Sequence, residues 1–176
     1  MKRRHFLTAG LLAVTGAVYG LGSRSQAAIG GLKRMPARPK IVPPAELPTL
    51  IDLVNGTSQS FLVAHGKGSD LAHTGWLQKF SNIPGSEATS GGSYITSETY
   101  IGKHGRSRRL IGLDSSNDMA EARAIVIHGA WYAEPEMISA HGKLGRSQGC
   151  FAFSESDLET ILERLGQGRL LYADRA

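Results

Sequence analysis

From Asn55-Gly56 onward the apolar residues of this chain fall into runs of three or four, each broken by Gly, Ser or Asn. That texture suits short strands bounded by turns. The expected strands are Phe61-Leu62-Val63-Ala64, Tyr94-Ile95-Thr96, Thr99-Tyr100-Ile101, Leu110-Ile111-Gly112-Leu113, Ile125-Val126-Ile127, Cys150-Phe151-Ala152-Phe153 and Gly168-Arg169-Leu170-Leu171-Tyr172. One helix interrupts them. Ser154 is placed to cap its first turn, Asp157 to reach back, and Leu158, Ile161, Leu162 and Leu165 form its apolar stripe before Gly166 ends it. A second short amphipathic helix is expected over Leu47, Leu50, Ile51 and Val54, and one or two helical turns over Asp118 to Ala124. The fold class is mainly β with a few short helices, folded as one domain around one core.

Charge separates the chain into parts. The sequence of 176 residues has 20 Lys+Arg against 15 Asp+Glu, a net charge of +5 that would suggest an anionic partner. Eight of those basic residues lie in the first 40 positions, which hold no acid, so residues 41–176 carry 12 basic against 15 acidic side chains. Nucleic acid is thereby excluded as the expected partner. Residues 1–27 read as an export signal: Lys2-Arg3-Arg4-His5-Phe6-Leu7, a mild apolar stretch from Ala9 to Leu21, then Ser25-Gln26-Ala27-Ala28. The paired arginines before Phe-Leu resemble a twin-arginine signal. The apolar part is shorter than the roughly 20 residues that span a bilayer and carries Gly10, Gly16 and Gly20, with Gly22 just after it, so the expectation is cleavage near Ala28 and no stable membrane span. Residues 28–48 hold Pro36, Pro39, Pro43, Pro44 and Pro48 and read as an extended, basic leader; residues 49–176 are the expected catalytic domain, exported to the periplasm or cell envelope.

One cysteine excludes an internal disulfide and any multi-cysteine zinc site. Six histidines show no His-x-x-His spacing, so no metal and no cofactor is expected. Two segments carry chemistry. Ala124-Ile125-Val126-Ile127-His128-Gly129 sets a histidine where an apolar run meets a glycine; Gly145-Arg146-Ser147-Gln148-Gly149-Cys150 leads a polar loop into a strand. Alone, His128 reads as a structural strand-end residue and Cys150 as a small buried hydrophobe. Together they satisfy what a thiol nucleophile needs: a base to take its proton, and a glycine that lets backbone N–H groups approach the developing oxyanion.

His128-Gly129, a spacer, and Ser147-x-Gly149-Cys150 resemble the signature of the L,D-transpeptidase catalytic domain of the YkuD type, and the murein L,D-transpeptidase branch most nearly. Tyr100-Ile101-Gly102-Lys103-His104-Gly105, the run Arg109 to Leu113 and Gly145-Arg146-Ser147 look like further landmarks of that branch; the resemblance covers about residues 58–173. It implies a mainly β, sandwich-like catalytic domain and acyl transfer on peptidoglycan stem peptides. A thiolate attacks the carbonyl at the L-centre of diaminopimelate, expels D-alanine, and passes the acyl group to a stem-peptide amine, giving a 3-3 cross-link, or to water. Anchored cell-envelope proteins are a further class of acceptor. Carried over by position, Cys150 matches the nucleophile, His128 the base, and Gly149 and Cys150 the oxyanion donors. Ser147, Arg146, Gly129 and His104 match the substrate side of the cleft, with Ser147 shaping the loop. Gln148 stands where the family often has His or Trp, and Phe151-Ala152-Phe153 where a more polar or proline-containing tail is common.

Other features have two readings each. Lys103, Arg106, Arg108 and Arg109 are either a solvated edge strand or the source of one arginine for a stem-peptide carboxylate. His104 and His141 are solvated turn residues or cleft residues. Pro84 to Tyr94 is a Gly/Ser loop without a phosphate-loop ending, and Trp76, Trp131 and Tyr132 are core or substrate-facing. Three functions follow: the transpeptidase, a carboxypeptidase or amidase using the same thioester, and a non-catalytic cell-wall binding module with an inert Cys150. An activated thiolate, alkylating well below the free-cysteine pKa of about 8.5, separates the enzymes from the last.

Overall fold

The computed structural model describes residues 10–14 and 48–175. Among these residues nine strands share one hydrogen-bonded sheet: β1 (Gly10–Val14), β2 (Pro48–Asp52), β3 (Thr57–Ser60), β4 (Val63–Ala64), β5 (Gly92–Gly102), β6 (Gly105–Gly112), β7 (Val126–Gly129), β8 (Phe151–Phe153) and β9 (Leu170–Ala173). Their order is β3-β2-β1-β9-β5-β6-β7-β8-β4. Two helices, α1 (Pro135–His141) and α2 (Glu155–Arg164), complete it, and no helix among the described residues is long and apolar enough to cross a membrane.

The sheet curls. Leu50 of β2 and Val63 of β4 stand near opposite ends of the strand order, yet both belong to one core with Tyr94, Leu110, Ile127, Phe151, Phe153 and Leu171. Ile161, Leu162 and Leu165, on the apolar face of α2 and at its end, fill the same core. Each such side chain contributes about 1.5–3 kcal/mol by leaving water. β1 lies within the segment read as an export signal, pairing β2 antiparallel and β9 parallel; among the residues whose burial is described, the core runs from Leu50 to Ala173. The leader at residues 28–47 lies outside the described residues.

The α2 cap forms as expected: Ser154 Oγ accepts from the Asp157 amide at 3.1 Å and donates to its carboxylate. Ser154→Ala should destabilise the domain by about 1 kcal/mol, read as a fall of a few degrees in the thermal midpoint; an unchanged midpoint would show the cap contributes nothing. The expected helix over 47–54 is instead β2 and a turn. Leu47 lies outside the described residues; among those described, Leu50 alone of the stripe is buried, Leu53 and Val54 are exposed, and the Asp52 carboxylate gathers the Val54 and Asn55 amides into a turn. Helical spacing over so short a segment does not outweigh pairing along both edges of β2. Asp118 to Ala124 is a series of hydrogen-bonded turns, not a helix, ending at Ala124 with φ of 53°.

The edge-strand reading of the basic cluster is also corrected, because β6 lies between β5 and β7. Arg106 pairs with Glu159, and Arg109 pairs with Glu98 at 2.9 Å while lying over the Tyr100 ring. Arg108 is buried and donates to the Ser97 carbonyl at 2.7 Å and the Leu162 carbonyl at 3.0 Å. The last of these sets a cation at the C-terminal end of α2, where the helix dipole favours it.

Candidate active site

β7 and β8 are parallel neighbours, with Ile127 opposite Phe151 and His128 opposite Ala152. Parallel strands need a crossover. Here it runs from Gly129 through a single 3-10 turn at Trp131–Ala133 and α1 to the loop that ends at Cys150. The register carries Cys150 to a place beside Val126, and because side chains alternate along a strand, His128 and Cys150 project from the same face two positions apart.

His128 is buried, and its Nδ1 lies 2.8 Å from the Gly129 carbonyl oxygen. A carbonyl can only accept, so Nδ1 carries the hydrogen and Nε2 is left as the proton acceptor. Burial holds the imidazole below its ordinary pKa of 6.5; Gly129 opposes that shift, and His104 and Lys103 add to it. His104 stacks on His128 with ring centroids 4.3 Å apart and planes at 17°. It belongs to the tip of the β5–β6 hairpin, between Gly102 and Gly105, which brings Lys103 to the same place. Neutral His128 is the form suited to accept a proton.

The nucleophile loop is fastened by Ser147, whose Oγ donates to the Cys150 carbonyl at 2.7 Å and accepts from the Gly149 amide at 3.2 Å. Gly149 has φ of 119°, and a Cβ there would lie 2.9 Å from the Ala88 carbonyl oxygen. The segment after β4 closes the other side: the Ser147 amide donates to His65 and the Lys67 amide to Ser147. A Cβ on Gly66 would come within 2.3 Å of the Glu87 carbonyl and 2.8 Å of Gly149. At the rim, Glu87 pairs with Lys67 at 2.7 Å and accepts from Gln148 at 3.3 Å.

Cys150 Sγ donates to the Ala124 carbonyl at 3.5 Å, not to the imidazole. Burial pushes the thiol above its ordinary pKa, while a Val126 amide hydrogen bond, Lys103 and Arg123 pull it down. The sequence leads one to expect a thiolate formed in advance; the direction is the reverse, because the thiolate would lose more by leaving water than these groups return. The resting pair is thiol and neutral imidazole. Tyr132 stands near it, its hydroxyl raised to about 12 by burial and by Cys150.

Of the residues singled out in the sequence, His128, Gly129 and His104 make one contact group, and Ser147, Gly149 and Cys150 another in the loop that enters β8. Arg146 is turned away to the Asp70 carbonyl. His141 is exposed at the end of α1. Ala124, Arg123, Gly66 and Glu87 were not found by sequence reasoning; Gly66 and Gly68, either side of Lys67, offered the one available signal, a close backbone approach.

The chain belongs to the L,D-transpeptidase catalytic-domain family, whose sequence profile matches residues 49–173. Solved structures share the fold at low identity. An L,D-transpeptidase from Mycobacterium smegmatis is 11% identical with a TM-score of 0.47, over 94% of this chain and 58% of that one. The L,D-transpeptidase LdtMt1 in complex with imipenem is 13% identical with a TM-score of 0.47, over 96% and 59%. The helical cell shape determining protein Pgp2 (K307A mutant) from Campylobacter jejuni is 12% identical with a TM-score of 0.52, over 95% and 47%. The chain thus spans about half to three-fifths of the length of these neighbours. No curated protein sequence matches it.

Proposed function

We propose that this chain is an exported cysteine acyltransferase of the cell envelope that remodels peptidoglycan as an L,D-transpeptidase. One observation carries the reading: the parallel register of β7 and β8 sets the only cysteine on the same face as a histidine whose Nδ1 is committed to a backbone carbonyl. Family membership supports peptidoglycan stem peptides as the substrate class.

In this mechanism His128 Nε2 takes the thiol proton as Sγ attacks the carbonyl at the L-centre of diaminopimelate. The Gly149 amide is already engaged by Ser147, so the Cys150 amide is the nearer donor for the oxyanion. Collapse of the tetrahedral intermediate breaks the peptide bond, and His128 returns the proton to the departing D-alanine amine. The thioester then passes to an acceptor amine, which loses its proton to His128 and regenerates the thiol. Water in place of the amine gives hydrolysis.

The test is incubation of the full chain with purified muropeptides and mass analysis of the products. Cross-linked dimers that have lost one D-alanine are expected, together with a covalent carbapenem adduct of the protein. Shortened monomers alone would replace transfer by hydrolysis, and neither product nor adduct would refute the reading. His128→Ala should lower transfer by roughly 10²–10⁴-fold. The wild-type rate should fall on acidification only below pH 6.5, since a depressed imidazole pKa keeps the base neutral down to that lower value. An acid limb at or above pH 6.5 would remove His128 from the role.

A further inference from the structure

Arg123 lies in the turn that enters β7, half-buried, and both terminal nitrogens of its guanidinium are occupied by neutral acceptors of one segment. Nη1 donates to the Ser81 carbonyl at 2.6 Å and Ser90 Oγ at 2.7 Å; Nη2 donates to Ser86 Oγ at 3.2 Å and the Ala88 carbonyl at 2.5 Å. Among the described residues no carboxylate pairs with it. With both terminal nitrogens committed, it offers no fork to a substrate carboxylate.

Its position is closely tied to the nucleophile. The Ala88 carbonyl that it holds is the atom Gly149 packs against, and Nη2 itself would lie 3.4 Å from a Cβ on Gly149. The next residue, Ala124, presents its carbonyl to the Cys150 thiol from a left-handed conformation (φ 53°), which is strained for an alanine. We propose that Arg123 is a positioning residue for Cys150: it locks residues 81–90 against Gly149 and stands as a fixed, unneutralised cation beside the thiolate that forms when the proton leaves. Coulombic coupling between Arg123 and Cys150 agrees in both directions. The other groups facing the thiol are Lys103 from the β5–β6 hairpin, His128 from β7 and Tyr132 after it. The idea rests on Cys150 being the nucleophile, but its test does not need peptidoglycan turnover.

Because the chain has one cysteine, iodoacetamide reports on Cys150 alone. Alkylation rate against pH should rise with the thiolate. Arg123→Gln, which keeps amide hydrogen bonding and removes the charge, should move the midpoint up by about half a pH unit or more and lower the rate at least threefold below it, since one unit is tenfold in thiolate. Arg123→Lys, which keeps the charge and cannot span four acceptors, should hold the wild-type midpoint. A folded Arg123→Gln with the wild-type profile overturns the proposal. Should that variant fail to fold, a midpoint in Arg123→Lys displaced upward by half a unit overturns it as well, and a retained one supports it. Normal alkylation behaviour with no muropeptide products would count against the transpeptidase reading instead.

Discussion

Cys150→Ala is expected to abolish acyl transfer and the carbapenem adduct while leaving the fold in place. The chain has no second thiol to take over, so residual turnover should lie below detection, at least about 10³-fold down. The structural cost is small for a residue so close to the core. Sγ reaches two main-chain groups, the Ala124 carbonyl at 3.5 Å and the Val126 amide, and the loop is held by Ser147 through the Cys150 backbone, which alanine retains. The expected loss of stability is about 1 kcal/mol or less. Circular dichroism and the thermal midpoint check the fold; mass spectrometry checks the adduct. Full cross-linking by a folded Cys150→Ala protein would end the nucleophile assignment.

How such a site was legible, and where it was not, follows from which interactions are local. Strands were readable because each buried run carries its own turn signals, and α2 because its cap and stripe lie within twelve residues of one another. The residues of β2 misled because their apolar spacing fits two periods and its partners lie elsewhere in the chain. α1 gave too little pattern: a proline start, Met137 and Ile138, then His141 before Gly142. His128 and Cys150 were recognisable as types, but their proximity is a property of the β7–β8 pairing, which no 22-residue spacing encodes. Gly129, Ala124 and Ala88 act through backbone carbonyls, which the side-chain sequence does not reveal. The resting thiol is of the same kind. A Cys-His motif suggests an ion pair, whereas burial decides the protonation state.

Gly149→Ala should cost the enzyme at least about 100-fold in transfer and carbapenem acylation. At φ of 119° a side chain is strained whatever the space, and here the space is also filled, with the Ala88 carbonyl oxygen at 2.9 Å and the Arg123 guanidinium at 3.4 Å. Neither neighbour yields easily, because each holds the other through a hydrogen bond. The main chain before Cys150 must move instead, and a displacement of about 1 Å at a reacting atom can cost about 10²-fold. Gly142→Ala separates strain from position. Gly142, which ends α1, also has a left-handed φ of 73°, but nothing lies within 4 Å of a Cβ there. That substitution should lower stability by about 1 kcal/mol and leave transfer within twofold of wild type. If Gly149→Ala behaves like Gly142→Ala, losing stability without losing turnover, the packing of Ala88 and Arg123 against Gly149 does not set the geometry of the nucleophile.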